Sequence, residues 1–362
     1  MAEQKMIGRQ SVSFKNPPCI LGRASVAGSK EGEGPLGSFF DYIEEDPKFG
    51  ADTWEEAESN MQKKAAELAL ENAGYQPKDI RYMIAGDLLG QLIATSFGLM
   101  ELKIPMFGVY GACSTMGESM SLASMLVEGG FADKILALTS SHFCGAEKEF
   151  RFPLQYGSQR PLAATWTVTG SGAVIIGKKP EKPEKSEKQK KEETAAKKCN
   201  SNPYILIKGI TTGKIVDFGV KDSMNMGACM APAAADVIYQ NLCDFNRNPN
   251  YYDKIFTGDL GYIGQRILLD ILKERGYDIS KQHMDCGIEI FCDETQDTHS
   301  GGSGCGCSAI TLTGYILEKM HRREWKRILF VPTGALLSPV SFNEGGSVPG
   351  IAHAVILEAE DA

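Results

Sequence analysis

Met83-Ile84-Ala85-Gly86-Asp87-Leu88 returns later in the chain as Ile255-Phe256-Thr257-Gly258-Asp259-Leu260. Each run reads as a buried strand that ends in a glycine-aspartate turn. Gly90-Gln91 after the first copy is echoed by Gly264-Gln265 after the second, and an apolar helix follows each. Working outward from the first copy, a short strand at Phe107 to Tyr110 runs into Gly111-Ala112-Cys113-Ser114. A helix at Thr115 to Glu128 and a strand at Lys134 to Thr139 come next, then the glycine-rich approach to a buried strand, Thr169 to Gly177. The second copy predicts a strand at Gly287 to Phe291, a small-residue turn at His299 to Gly306, a helix at Ser308 to Met320 and a strand at Arg327 to Pro332. The same order of elements occurs twice. That implies an α/β fold made by internal duplication, two related sheets packed against shared helices.

The division expected along the chain is one half over residues 1–177, a charged insertion over 178–202 and a second half over 203–362. The insertion is lysine, glutamate and proline with almost no apolar side chains, so it cannot bury enough surface to offset its ordering entropy. A recruiting segment for acidic lipid or a partner protein is its other reading. Ahead of the first repeat, Thr53 and Glu56 form a capping box, and Met61, Ala65, Leu68 and Ala69 give the following helix an apolar stripe that Gly74 stops.

Composition narrows the function classes. The chain has 362 residues and a net charge of -8, which argues against nucleic acid as a partner. No signal peptide is read at the N-terminus, and no window reaches the ~18 apolar residues of a membrane span. Ten irregularly placed cysteines in a chain this large suit a reducing compartment. Cys305 and Cys307 stand closer together than zinc ligands do and lack a second pair, so no metal is expected.

Three places can carry chemistry. Cys113 lies between a strand and a helix among small residues, where the helix N-terminus favours a thiolate and free amides can hold an oxyanion or a carboxylate. A buried structural cysteine is the plainer reading. His299 sits in Thr298-His299-Ser300-Gly301-Gly302-Ser303-Gly304, the turn that the duplication pairs with that of Cys113. If the two turns converge, imidazole and thiol share a pocket, with the hydroxyls of Ser300 and Ser303 beside them. Asp259 closes the repeated turn; its counterpart Asp87 makes a structural role for both equally reasonable. His142, His283, His321 and His353 read as structural.

These motifs, in this order, resemble the thiolase and ketoacyl synthase superfamily: the Gly-Ala-Cys-Ser turn, the Gly-Ser-Gly-Ala-Val-Ile-Ile strand from Gly170 and the His-Ser-Gly-Gly-Ser-Gly turn from His299. The resemblance covers nearly all of the chain outside the charged insertion. It implies a thiolase-like fold, two duplicated βαβ halves stacked as alternating helix and sheet layers. Within the superfamily the chain is similar to the stage V sporulation protein AD family, on Ser38 to Ile43, Thr53-Trp54-Glu55, Gly86 to Gln91, Tyr110 to Thr115, Gln159-Arg160-Pro161 and Thr257 to Gly261. That likeness implies a soluble, non-catalytic component, peripheral at the spore inner membrane. It would bind dipicolinic acid (pyridine-2,6-dicarboxylate) and work with other stage V sporulation A membrane proteins. It also implies a homodimer, as is common among thiolases, and no cofactor. Cys113, Asp259, His299, Ser300 and Ser303 are the expected ligand-binding residues.

The alternative is an acyltransferase, a condensing enzyme like ketoacyl synthase III that uses Cys113, with Arg151 and Arg160 at the pocket mouth. Against it, condensing enzymes carry a catalytic histidine or asparagine where this chain has Gly258-Asp259. An anionic Asp259 cannot donate to an oxyanion, and it disfavours a thiolate beside it. The additional cysteine of true thiolases is missing before Gly345-Gly346.

Overall fold

The computed structural model describes residues 5–150, 159–180 and 202–361. Most of the charged insertion, and Arg151, lie outside the described residues.

Among the described residues, ten strands form the path of the main sheet: β1 (Cys19–Gly28), β2 (Tyr82–Gly86), β3 (Met106–Gly108), β4 (Lys134–Ser141), β5 (Gly170–Gly177), β6 (Tyr204–Thr211), β7 (Lys254–Thr257), β8 (His283–Asp285), β9 (Arg327–Val331) and β10 (Ala354–Glu360). Their spatial order is β8-β7-β9-β10-β6-β1-β5-β4-β2-β3. From β1 outward the pairings run antiparallel, antiparallel, parallel, parallel. From β6 outward they run the same way. The duplication is therefore present in the hydrogen bonding. Two separate sheets were expected, whereas β1 and β6, corresponding strands of the halves, meet antiparallel through Cys19 and Leu206 and join them into one.

Each half is covered on both faces, which is why strands such as β4, β5 and β9 are buried along nearly their whole length. Along β4, Ile135 and Ala137 enter one core cluster while Leu136 and Leu138 enter another. Along β9, Ile328 and Phe330 join that same first cluster, and Leu329 and Val331 point to a third. The period of two in the strands thus builds three cores from two sheet faces. The middle core is shared by both halves and holds Met116 and Met120 of α3 (Thr115–Glu128). Opposite them, Ile310 and Leu312 come from the helix that begins at Cys305 and runs to His321 with a π-helical stretch at Thr311–Ile316. The outer cores lie under α1 (Trp54–Ala73) in the first half and under α5 (Met226–Asp244) and α6 (Gly261–Glu274) in the second.

The α1 capping box forms as read, with Thr53 and Glu56 satisfying each other's amides, and Gly74 ends the helix at φ 71°. One element differs. Gly287 to Phe291 alternates like a strand, but Cys286–Ile290 is a short helix (α7). Asp285 accepts a hydrogen bond from the Gly287 amide and winds the chain at that point, so the strand of this repeat is the earlier His283–Asp285. A five-residue alternation carries too little pattern to outweigh such a cap.

Candidate functional site

The Cys113 turn is tied internally. Ser114 and Thr115 donate from their hydroxyls to the carbonyls of Gly111 and Ala112, each at 2.7 Å, and Ala112 adopts φ 49°. Such a conformation is sparsely populated for alanine and needs support from its surroundings. Part of that support comes from Gly334, whose backbone approaches so closely that a Cβ would fall 2.3 Å from the Gly111 carbonyl oxygen.

The two glycine-aspartate turns diverge in how they are closed. In the first half, Asp87 closes its own turn, accepting from the Leu89 amide at 2.8 Å and from the Thr95 amide and hydroxyl at 2.8 and 2.5 Å. In the second half Asp285, reaching over from β8, performs that task. It accepts from the Thr257 hydroxyl and from the amides of Leu260 and Gly261. Asp259 is thereby released to face inward. Its carboxylate accepts from the Thr333 hydroxyl at 2.7 Å and from the Gly304 amide at 3.0 Å, and it is wholly buried. Gly304 is required at φ 99°, since a Cβ there would lie 2.6 Å from the Ser141 hydroxyl.

Cys113, Asp259 and Ser303 line one cavity of about 50 Å³, with Tyr110, Glu147 and Thr167 as further polar walls and Leu88, Phe150, Met226 and Leu337 among the apolar ones. Among the described residues no lysine, arginine or histidine lines it. His299 and Ser300 stand elsewhere. The His299 ring hydrogen-bonds the Pro161 carbonyl at 3.0 Å and pairs with Asp297 at 3.0 Å. The Ser300 hydroxyl accepts from the Ile263 amide at 3.4 Å. The expected meeting of thiol and imidazole is therefore replaced by one of thiol and carboxylate. The turn reverses at Gly301 and Gly304, which aims Ser303 inward and leaves His299 on the far side of the bend.

The electrostatics follow from this geometry. Burial, foremost, pushes the Cys113 thiol well above its ordinary range, and the Asp259 charge beside it adds to the shift. Burial lifts the Asp259 carboxyl to about 7, against hydrogen bonds from Thr333, Cys113 and Gly304 that favour its charged form. The thiolate expected from the helix N-terminus is thus overridden: burial and the neighbouring Asp259 keep Cys113 a thiol.

Cys305 and Cys307 also acquire a role that spacing alone did not show. The Cys305 thiol donates to the Ala112 carbonyl at 3.1 Å and the Cys307 thiol to the Gly258 carbonyl at 3.4 Å. One helix start therefore fastens both site turns. Every cysteine among the described residues is free, and these residues hold no cluster of three His, Cys, Asp or Glu side chains suited to a metal. No helix among them is long and apolar enough to cross a membrane.

A layered, duplicated α/β fold with its site between corresponding turns of the two halves is that of the thiolase-like proteins. Solved structures agree: 3-oxoacyl-[acyl-carrier-protein] synthase III from Aquifex aeolicus superposes with a TM-score of 0.55 at 15% identity, over 94% of this chain and 99% of that one. A variant of Xanthomonas campestris OleA gives 0.58 at 12% identity, over 96% and 98%. At such identities the likeness is one of fold. The family description of stage V sporulation protein AD matches residues 8–358. The chain is also 41% identical, over 354 residues and 98% of both chains, to stage V sporulation protein AD of Bacillus subtilis strain 168. It belongs to the stage V sporulation protein AD family.

Proposed function

We propose that this sporulation protein binds dipicolinic acid in the Cys113–Asp259 cavity and supports its uptake into the developing spore without catalysing acyl transfer. The observation that carries the non-catalytic reading is the Cys113 thiol sharing its cavity with the wholly buried carboxyl of Asp259. A condensing enzyme needs a thiolate beside oxyanion donors, and Asp259 supplies the opposite field. For binding, the hydroxyls of Ser303 and Thr167 line the cavity, while that of Tyr110 donates to the Leu88 carbonyl at 3.4 Å. Asp259, with its pKa near 7, donates to a ligand carboxylate when protonated. The buried acid Asp259, and a lining without a cation among the described residues, favour a ligand whose charge is reduced, by protonation or by a chelated divalent cation. A cavity of about 50 Å³ has room for a few waters. The flat ring therefore enters by displacing the half-buried rim side chains Met226 and Leu337.

Calorimetric titration with dipicolinic acid, with and without calcium, tests this. Saturable heat is expected, stronger at pH 6 than at pH 8. Asp259→Ala and Cys113→Ala should each weaken binding at pH 6 by about tenfold, the loss of one buried hydrogen bond to a charged group. His299→Ala should leave it unchanged. No heat at millimolar ligand sinks the proposal, and an acyl adduct on Cys113 after exposure to acyl-coenzyme A would move the assignment to the condensing-enzyme alternative.

The partners proposed are the other stage V sporulation A membrane proteins, with this chain peripheral at the membrane, and a second copy of itself. For the second copy, β3 has an edge unpaired among the described residues that carries exposed Met106 and Phe107, flanked by exposed Phe97 of α2 (Ile93–Leu99), by Met100 in the turn after it and by Leu122 and Met125 of α3. Such a patch on an edge strand is a template for pairing. Sedimentation should show a dimer that Phe107→Lys converts to monomer; a monomeric wild type at micromolar concentration would refute it.

A further inference from the structure

At the ends of β2, β3 and β4 remote from the cavity, the chain forms an open groove of about 940 Å³. Its walls come from the segments that lead into those three parallel strands: 76–81, 102–105 and 130–134. Lys78, Arg81, Lys103 and Lys134 line it, and none of the four forms an ion pair among the described residues. The groove's two acids are otherwise engaged. Asp133 is matched by Lys178 at 2.6 Å, and Asp79 accepts from the Gln76 amide at 2.8 Å. The charged ends of Arg81 and Lys134 lie over the rings of Tyr82 and Tyr75, 5.2 and 4.9 Å from their centroids, which holds both cations at this surface. Among these cations stands Phe131, 69% exposed at the tip of the Gly129-Gly130 turn.

On a chain of net charge -8, four cations without an ion pair among the described residues, set around a protruding aromatic ring, are a local reversal of sign. A ring that enters the interfacial layer, surrounded by cations at the height of anionic headgroups, is the chemistry of a membrane-surface contact. We infer that this groove and the Phe131 tip are the face by which the protein docks on an anionic lipid surface. The cations are spread along an open rim rather than gathered about a closed pocket, which suits a plane of headgroups better than a single acidic peptide. Docking at this end leaves the Cys113 cavity at the opposite ends of the strands, open to the aqueous side. The inference specifies the peripheral placement proposed above and does not depend on what the cavity binds.

Co-sedimentation of the full chain with vesicles decides the matter, using phosphatidylcholine alone and phosphatidylcholine with one third phosphatidylglycerol. Binding is expected only to the anionic vesicles, falling between 50 and 500 mM salt. It should weaken by about tenfold or more in Arg81→Glu/Lys103→Glu, since each reversal replaces attraction with repulsion. Phe131→Ser should weaken it by about threefold or more through loss of interfacial burial. Lys273→Glu, an exposed charge reversal on α6, is the control and should stay within about twofold of wild type. Equal binding by the groove variants and wild type would overturn the inference and assign the contact to the lysine-rich segment. Binding to neutral vesicles alike, or to polyglutamate in place of vesicles, would overturn it too. Dipicolinic acid titration of the same variants should match wild type, so loss of docking and loss of ligand binding are read separately.

Discussion

Asp259→Asn is expected to make Cys113 more reactive, by about tenfold, towards a small alkylating reagent at pH 8. Burial first, then the Asp259 charge, keeps this thiol protonated, and the hydrogen-bonding pull of that carboxylate acts in the same sense. Asparagine leaves burial as it is and removes the other two. An opposite or like charge in contact moves a pKa by about 1–3 units. Each unit raises the thiolate fraction about tenfold, but the weaker base is also a poorer nucleophile, which leaves about threefold per unit. Two units therefore give about tenfold. The isosteric side chain can still accept from the Gly304 amide and meet the Thr333 hydroxyl, so the turn should keep its shape. Peptide mapping by mass spectrometry would locate the label, and the pH–rate profile should shift its midpoint to lower pH. An unchanged or slower rate would mean that Asp259 does not set the state of the thiol, and the non-catalytic reading would lose its support.

That opposition of carboxylate and thiol shows how far the sequence could be read. The duplication was visible because it lies in contiguous strings: the two glycine-aspartate turns, the small-residue turns and the strands after them. The placement of Cys113 near Asp259 follows from matching order in two halves. The division of labour between Asp87 and Asp285 was not visible, because it depends on which carboxylate reaches a turn across a parallel strand pair rather than on neighbours in sequence. The same holds for Cys305 and Cys307, whose thiols bond to carbonyls on turns that precede them by more than a hundred residues and by about fifty. His299 misled because a Gly/Ser-rich turn reverses direction at its glycines, so residues four apart can face opposite ways. Thr167, Met226 and Leu337 had no local mark at all; each becomes a wall of the cavity only when eight separate segments are brought together.

The second large effect concerns stability against pH. Asp259 and Glu31 are both buried carboxyls lifted to about 7, burial being the leading cause in each. Burial also raises Glu58, Asp87 and Asp285. A carboxyl whose pKa is higher folded than unfolded holds its proton more tightly in the native state. Its stabilisation is full below the unfolded value near 4 and is lost as pH rises through the folded value. For Asp259 that is about 1.4 kcal/mol per pH unit, or about 4 kcal/mol across the window from 4 to 7. His283 and His353, lowered by burial to about 4, act in the other sense, since they lose stability as pH falls from 6.5 towards 4. Below pH 6.5 the two sets oppose each other. Above it the histidines are neutral in both states, and only the carboxyls act. The melting temperature should therefore fall between pH 6.5 and 7.5, and Asp259→Asn should flatten that fall while gaining stability relative to wild type as pH rises from 5 to 8. Scanning calorimetry of both proteins across this range gives the difference directly. A difference that does not change with pH would show that Asp259 is ionised throughout, and that the cavity holds a fixed negative charge rather than a proton it can share with a ligand.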